Sequence, residues 1–265
     1  MKSSNPVLSR ISAAAQQPRY SVPGQGAPAG YPEGGYPEVV QSGHVDRMTI
    51  DDVVVKTVTL LATTAATAAI AWYVVPFEVM RPVLYASMFL GVIVGLVISF
   101  AQVTNAAVIL GYAVLEGVFL GLISKAYEYF FEGIVLQAVI ATLSVFLAMA
   151  ALYKMKIIRA TPKFMKIVIG AAAGLAVVML VNFVIYLFSG SVGPLRDGGP
   201  IAIGFSLVCI VVAALMFVVN FKQIEDGIAA GLPRKYGWLG AFGILVELVW
   251  LYLEILRLIS YFSED

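Results

Sequence analysis

From about position 53 onward the chain is a succession of long apolar runs broken by short polar links. Seven runs can be drawn, at 53–75, 83–102, 106–124, 134–153, 167–188, 201–220 and 240–260. Each is near the roughly 20 residues that an α-helix needs to cross the hydrocarbon core of a bilayer. The links carry turn-forming residues. Pro76 and Pro82 bracket the first, Thr104 and Asn105 mark the second, and the stretch from Gly190 to Pro200 marks the fifth. Ahead of the first run stands Met48-Thr-Ile-Asp-Asp52, where Thr49 or Asp51 is the expected cap and the acids suit the positive end of a helix. The pattern predicts an all-α integral membrane protein with seven transmembrane helices over residues 48–265.

The last run is apolar enough to span a bilayer and yet carries Glu247 and Glu254. Charged groups at membrane depth are expensive and usually face a protein interior or a water-filled cavity. The two acids are seven residues apart, so they share a helix face about 10 Å apart along the axis. This places the last helix at the centre of the bundle, with its acids turned toward the other helices.

Composition agrees with a membrane protein. Charged residues make up 12% of the chain and hydrophobic ones 60%, against about a quarter charged in a soluble domain. A net charge of +1 gives no reason to expect nucleic acid. The single cysteine, Cys209, cannot form an internal disulfide and reads as a small buried hydrophobe. Residues 1–47 read as a flexible cytoplasmic tail. The segment Tyr31-Pro-Glu-Gly-Gly-Tyr-Pro-Glu38 cannot bury enough surface to fold alone. The long hydrophilic start also argues against a secretory signal peptide.

Lysine and arginine in the loops set the orientation. Twelve lie in the tail, the 154–166 link and the 222–235 link; four (Arg81, Lys125, Arg196 and Arg257) lie on the other side. The bias predicts a cytoplasmic N-terminus and an external C-terminus. Three glycine pairs (Gly91/Gly95, Gly117/Gly121 and Gly170/Gly174) are spaced to let helix backbones approach closely in lipid.

Other polar residues fall inside the runs. Glu116 is mid-way along the third, Asn182 deep in the fifth and Asn220 at the inner end of the sixth. Lys56, near the start of the first, is expected to snorkel to the interface. The carboxyls of Glu116, Glu247 and Glu254 either respond to protons and attract a cation, or join helices through Arg257 or a backbone group. Enzyme chemistry is poorly served. His44, the only histidine, lies in the tail, so the serine of Gly204-Phe-Ser-Leu207 has no membrane histidine as base and no intramembrane zinc site can use one. Walker and dinucleotide fingerprints are absent from the sequence. No cofactor and no resident metal are called for.

The last third carries a family resemblance. Asn220-Phe-Lys-Gln-Ile-Glu-Asp-Gly-Ile-Ala-Ala-Gly-Leu-Pro233, Trp238-Leu-Gly-Ala-Phe-Gly243 and Leu248-Val-Trp-Leu-Tyr-Leu-Glu-Ile-Leu-Arg-Leu258 resemble a bacterial branch of the transmembrane Bax inhibitor motif family. Leu115-Glu-Gly117 is similar to that family's third-helix motif. The resemblance implies seven helices with the last surrounded by the other six, an inner (plasma) membrane location, and a pH-sensitive calcium leak. It further implies a proton-sensitive pair of acids, one on each of the last two helices. Their positions fall on Glu254 and on Asn220, which does not titrate; Lys222 stands where the branch commonly has another acid, and Glu247 is an additional one. The implied partners are the lipid bilayer, Ca²⁺ as cargo, and H⁺. A tight calcium site takes about six to eight oxygens, so these few carboxyls point to transient cation contact. The alternative reading is a non-transporting membrane scaffold that regulates other membrane proteins.

Overall fold

The computed structural model describes residues 46–190 and 193–263. The expected tail lies outside the described residues up to position 45. Seven helices follow: α1 Ile50–Val74, α2 Phe77–Ala101, α3 Ala106–Phe130, α4 Ile134–Lys154, α5 Pro162–Ser189, α6 Pro200–Ala229 and α7 Gly237–Ser263. All seven are long and apolar enough to cross a membrane.

Local chemistry sets most of the ends. The Thr49 hydroxyl accepts from the Asp52 amide and caps α1, with Asp51 and Asp52 in the first turn. Asn105 caps α3 through the Ala107 amide, and Thr161 caps α5 through the Phe164 amide, ahead of Pro162 at the first helical turn. Two expected boundaries move. Pro82 does not close the first link but sits inside α2, which begins at Phe77. A proline this near the start removes a single backbone bond, so the helix tolerates it. The sixth helix does not end at Asn220. It continues to Ala229, held on its polar side by an ion pair between Lys222 and Asp226 one turn apart. The link to α7 is therefore short, and it ends in one 3-10 turn, Arg234–Tyr236.

Helix α7 is the central element. In its most apolar window 61% of residues are buried, against 6% in α5. Four helices, α6, α1, α4 and α3, form the ring around it, rather than all six. α2 packs chiefly on α3, and α5 on α6. Phe217 of α6 and Leu251 and Leu256 of α7 are fully buried in this core. The Tyr252 hydroxyl of α7 meets Ser124 of α3 at 2.6 Å in the interior.

The glycine pairs have separate fates. At Gly117 and Gly121 of α3, an added Cβ would collide with Thr67 and with the Ala68 backbone of α1. This close approach lets the Thr64 hydroxyl of α1 donate to the Ala113 carbonyl across the seam. Gly91 and Gly95 of α2 admit Glu116 and Tyr112 of α3. Gly170 and Gly174 face open space, so the expected third packing seam is absent among the described residues.

Lys56 also departs from expectation. It does not snorkel but is buried, donating to the Asp52 carboxylate and, at 2.6 Å, to the Arg234 carbonyl, with the Trp238 ring 5.5 Å away. Partners at that depth satisfy the ammonium in place of water. Around it, the segment before α1 is strapped to the α6–α7 link: the Met48 amide donates to Leu232 O at 2.8 Å, and the Arg234 amide to Asp46 O at 2.7 Å.

Candidate functional site

Glu254 lies on α7, 2% exposed, close to the end that meets the α5–α6 link. That link is folded back onto the bundle. The Arg196 amide closes a turn onto Gly193 O at 3.1 Å, and the Asp197 carboxylate accepts from the Gly199 amide at 3.0 Å, which delivers the chain to Pro200 and α6. The turn points the Arg196 guanidinium inward. Its two terminal nitrogens donate to the two carboxylate oxygens of Glu254 at 3.1 and 3.0 Å, in the fork geometry that suits a carboxylate. Arg257, three residues along the same helix, adds a third bond at 2.7 Å. The Phe205 ring packs 5.2 Å from the Arg196 guanidinium. Cys209 of α6, fully buried, and Tyr261 of α7 lie within reach of the charges of Glu254, Arg196 and Arg257.

Glu247, two turns earlier on α7, is also buried. Its Oε2 has no hydrogen-bond partner among the described residues, and neither has the indole nitrogen of Trp250. Glu247 Oε2 thus lacks a partner among the described residues, whereas both oxygens of Glu254 are held by guanidinia.

Asn220 is elsewhere. Its amide nitrogen reaches the Gly243 carbonyl at 3.4 Å. It lines a cleft of about 250 Å³ with Gln102, Gln223, Tyr236 and Gly240. Gly243 and Glu254 are eleven residues apart on α7, about 16 Å along its axis. The two positions that the family resemblance pairs are thus not brought together. Asn220 lies beside the start of α7, whereas Cys209, about three turns earlier on α6, is within reach of the Glu254 charge. Glu116 occupies a third place, the α2–α3 seam. Its Oε1 lies 3.1 Å from where a Cβ on Gly91 would stand, and Tyr112 lies one turn away.

The four candidate residues thus fall in separate settings, with Glu247 and Glu254 sharing only a helix. Among the described residues no three acid, histidine or cysteine side chains converge as metal ligands. What the arrangement provides is an ion-pair lock between a loop and the central helix, and a buried carboxyl two turns below it. Arg196 is the residue that sequence reasoning missed. Its charge was legible, but only as one count in the loop bias; being the one cation of the 190–200 link was the available signal.

No curated protein is similar enough to this chain to register as a match. The family comparison is decisive by contrast: the sequence matches Bax inhibitor 1 like proteins over residues 5–264, nearly its whole length. With seven membrane-length helices and a buried acid in the central one, the chain belongs to the Bax inhibitor 1 like family.

Proposed function

We propose that this protein is a cation leak, with Ca²⁺ the cation and protons the control, rather than an enzyme. It would sit in the inner membrane with its N-terminus in the cytoplasm. The observation that carries the reading is the fork of Arg196 on Glu254. A loop between two helices is tied to the central helix by charge at a buried point. Protonation of Glu254 deletes the charge that both guanidinia bind, releases the α5–α6 link from α7 and opens that end of the bundle. Glu247, whose Oε2 is unpartnered among the described residues, then meets the entering cation. Among the described residues, Cys209 of α6 and Tyr261 of α7 also lie within reach of the Glu254 charge, beside the two arginines bonded to it.

Calcium flux into liposomes, measured from pH 5 to pH 8, tests the mechanism. Flux through the parent is expected to rise as pH falls. Glu254→Gln should hold neutral-pH flux at the parent's acid level and flatten the profile. Removing one partner of a buried pair costs about 3–5 kcal/mol, so Arg196→Gln, which leaves Glu254 with Arg257, is the milder control and should give the same flattening. Glu247→Gln should lower flux at every pH. Identical curves for the parent and all three variants would favour a scaffold that regulates other membrane proteins.

A further inference from the structure

The link between α4 and α5 is short and tightly folded. It closes α4 in a paired turn, in which the Lys156 amide donates to Tyr153 O at 2.9 Å and the Ile157 amide to Leu152 O at 3.0 Å, and Thr161 then caps α5. Glycine is the usual residue at the place Lys156 holds in such a turn. Lys156 takes it in the left-handed conformation, at φ 58°, which a residue with a side chain adopts at a cost. Ile158, Ala160 and Phe164 pack against the core. What they leave outside is uniform in character. Lys154, Lys156, Arg159, Lys163 and Lys166 are all exposed, and Met155 and Ile157 between them are 60% and 65% exposed.

Residues 154–166 contain no acid, and none of their five cations is in an ion pair among the described residues. Two acids of α6 belong to this end of the bundle. Glu225 accepts from the Tyr153 hydroxyl at 2.6 Å, and Asp226 is paired with Lys222. Residues 1–45 do not reverse the sign, because Lys2, Arg10 and Arg19 there outnumber Glu33 and Glu38. Even with Glu33 and Glu38 set against the patch alone, six cations (the five and Lys222) face four acids. Glu264 and Asp265 follow the end of α7, which belongs to the opposite end of the bundle.

Only residues 155–161 separate α4 from α5, so the patch stays at the level where both helices leave the bilayer. Lipid headgroup phosphates lie at that level, and cation clusters just beyond a transmembrane helix attract anionic lipid within a Debye length. A soluble polyanion would meet the cations but leave Met155 and Ile157 in water. The boundary between headgroups and acyl chains takes up cations and apolar tips together.

We infer that the α4–α5 link is a binding surface for anionic phospholipid, phosphatidylglycerol being the type, through Lys154, Lys156, Arg159 and the apolar tips of Met155 and Ile157. Lipid held there fixes the start of α5, the helix with the least protein around it.

The full chain is placed in phosphatidylcholine nanodiscs in which phosphatidylglycerol replaces a rising share of the lipid, and its melting temperature is followed. A saturable rise is expected, smaller at high salt. Lys156→Gly removes a cation and relieves the left-handed position, so it should melt at or above the parent in phosphatidylcholine yet gain less from phosphatidylglycerol. Ile157→Ser should need several-fold more phosphatidylglycerol for half the gain. The triple variant Lys154→Gln, Lys156→Gln, Arg159→Gln should lose most of the gain, and the two single variants keep the test decisive if the triple one does not fold. Removing three cations from the tail, by Lys2→Gln, Arg10→Gln and Arg19→Gln, should leave the gain intact. Equal melts of the parent in the two lipids overturn the inference and point the patch to a soluble acidic partner. A gain that the link variants keep, or that the tail variant loses equally, also overturns it. Inorganic phosphate added to phosphatidylcholine discs should give no rise, and a matching rise would make the patch a free-anion site instead. None of these readouts depends on flux, so the inference can fail while the leak mechanism stands.

Discussion

Glu254 and Glu116 are both single carboxyls in apolar helices, and what faces them sets them apart. Glu254 meets two guanidinia, one supplied from 58 residues away in the chain. Glu116 meets a glycine of α2, with a tyrosine one turn along its own helix. The missing Cβ at Gly91 gives the carboxyl its room, so size and charge are both constrained there. Glu116→Gln, which keeps the shape and polar end, should fold with a yield near the parent's. Glu116→Lys puts a longer cation into the α2–α3 seam. A central lysine costs about 3 kcal/mol even on lenient membrane-insertion scales, so its folded yield in detergent should fall several-fold. Equal yields from the two variants would show that the seam does not constrain position 116. The acids themselves were legible in the sequence because carboxyls are rare in such runs. Their partners were not: an i,i+3 neighbour such as Arg257 can be read from spacing, whereas Arg196 reaches Glu254 only through a folded link.

At the scale of the helices, spacing identified seven spans and left their contacts undetermined. Three glycine pairs look alike in sequence, yet they divide into a tight seam, a looser one and none. The difference comes from the facing helix. α1 presents Thr64, Thr67 and Ala68 to Gly117 and Gly121, small residues that complete a close contact, whereas α5 is the outlying helix. Overpacking a tight contact costs about 1–3 kcal/mol. Gly121→Ala should therefore lower the melting temperature in detergent clearly, while Gly170→Ala should stay within about 0.5 kcal/mol of the parent, as surface substitutions usually do. A Gly170→Ala loss as large as that of Gly121→Ala would mean that α5 has a packing partner of its own. Boundaries were less legible than spans. α6 outruns its apolar stretch through a polar turn to which the exposed Lys222–Asp226 pair adds a small support. The separation of Asn220 from Glu254 follows from their places at unlike depths in two successive, antiparallel runs, so it was legible in the sequence.

For the molecule as a whole, the odd number of spans separates two ends of unlike character. One end gathers the start of α1, the 154–162 link and the α6–α7 link, with Lys56 buried beneath the strap. The other gathers the α5–α6 link and the end of α7, with Arg196 and Arg257 engaged by Glu254. The positive-inside rule weighs cations that stay in the loops. Two of the four positive residues assigned to the sparse side, Arg196 and Arg257, are spent inside the bundle, and the Lys125 ammonium donates to the Val75 carbonyl at 2.7 Å. Cations of the dense side are engaged as well, Lys222 by Asp226 and Arg234 by Asp46 and Asp52, so the expectation that the N-terminal end of α1 faces the cytoplasm rests on the sequence count alone. Single cysteines in a Cys209→Ala background can measure this. Position 196 is a poor probe because its side chain is held at the lock, whereas Asp197 beside it is exposed, as is Ile157 at the opposite end. In intact cells, Asp197→Cys should react with an impermeant maleimide and Ile157→Cys should react only after the membrane is opened. The reverse pattern would turn the molecule over, put the Glu254 lock on the cytoplasmic face, and make cytoplasmic rather than external protons the ones that release it.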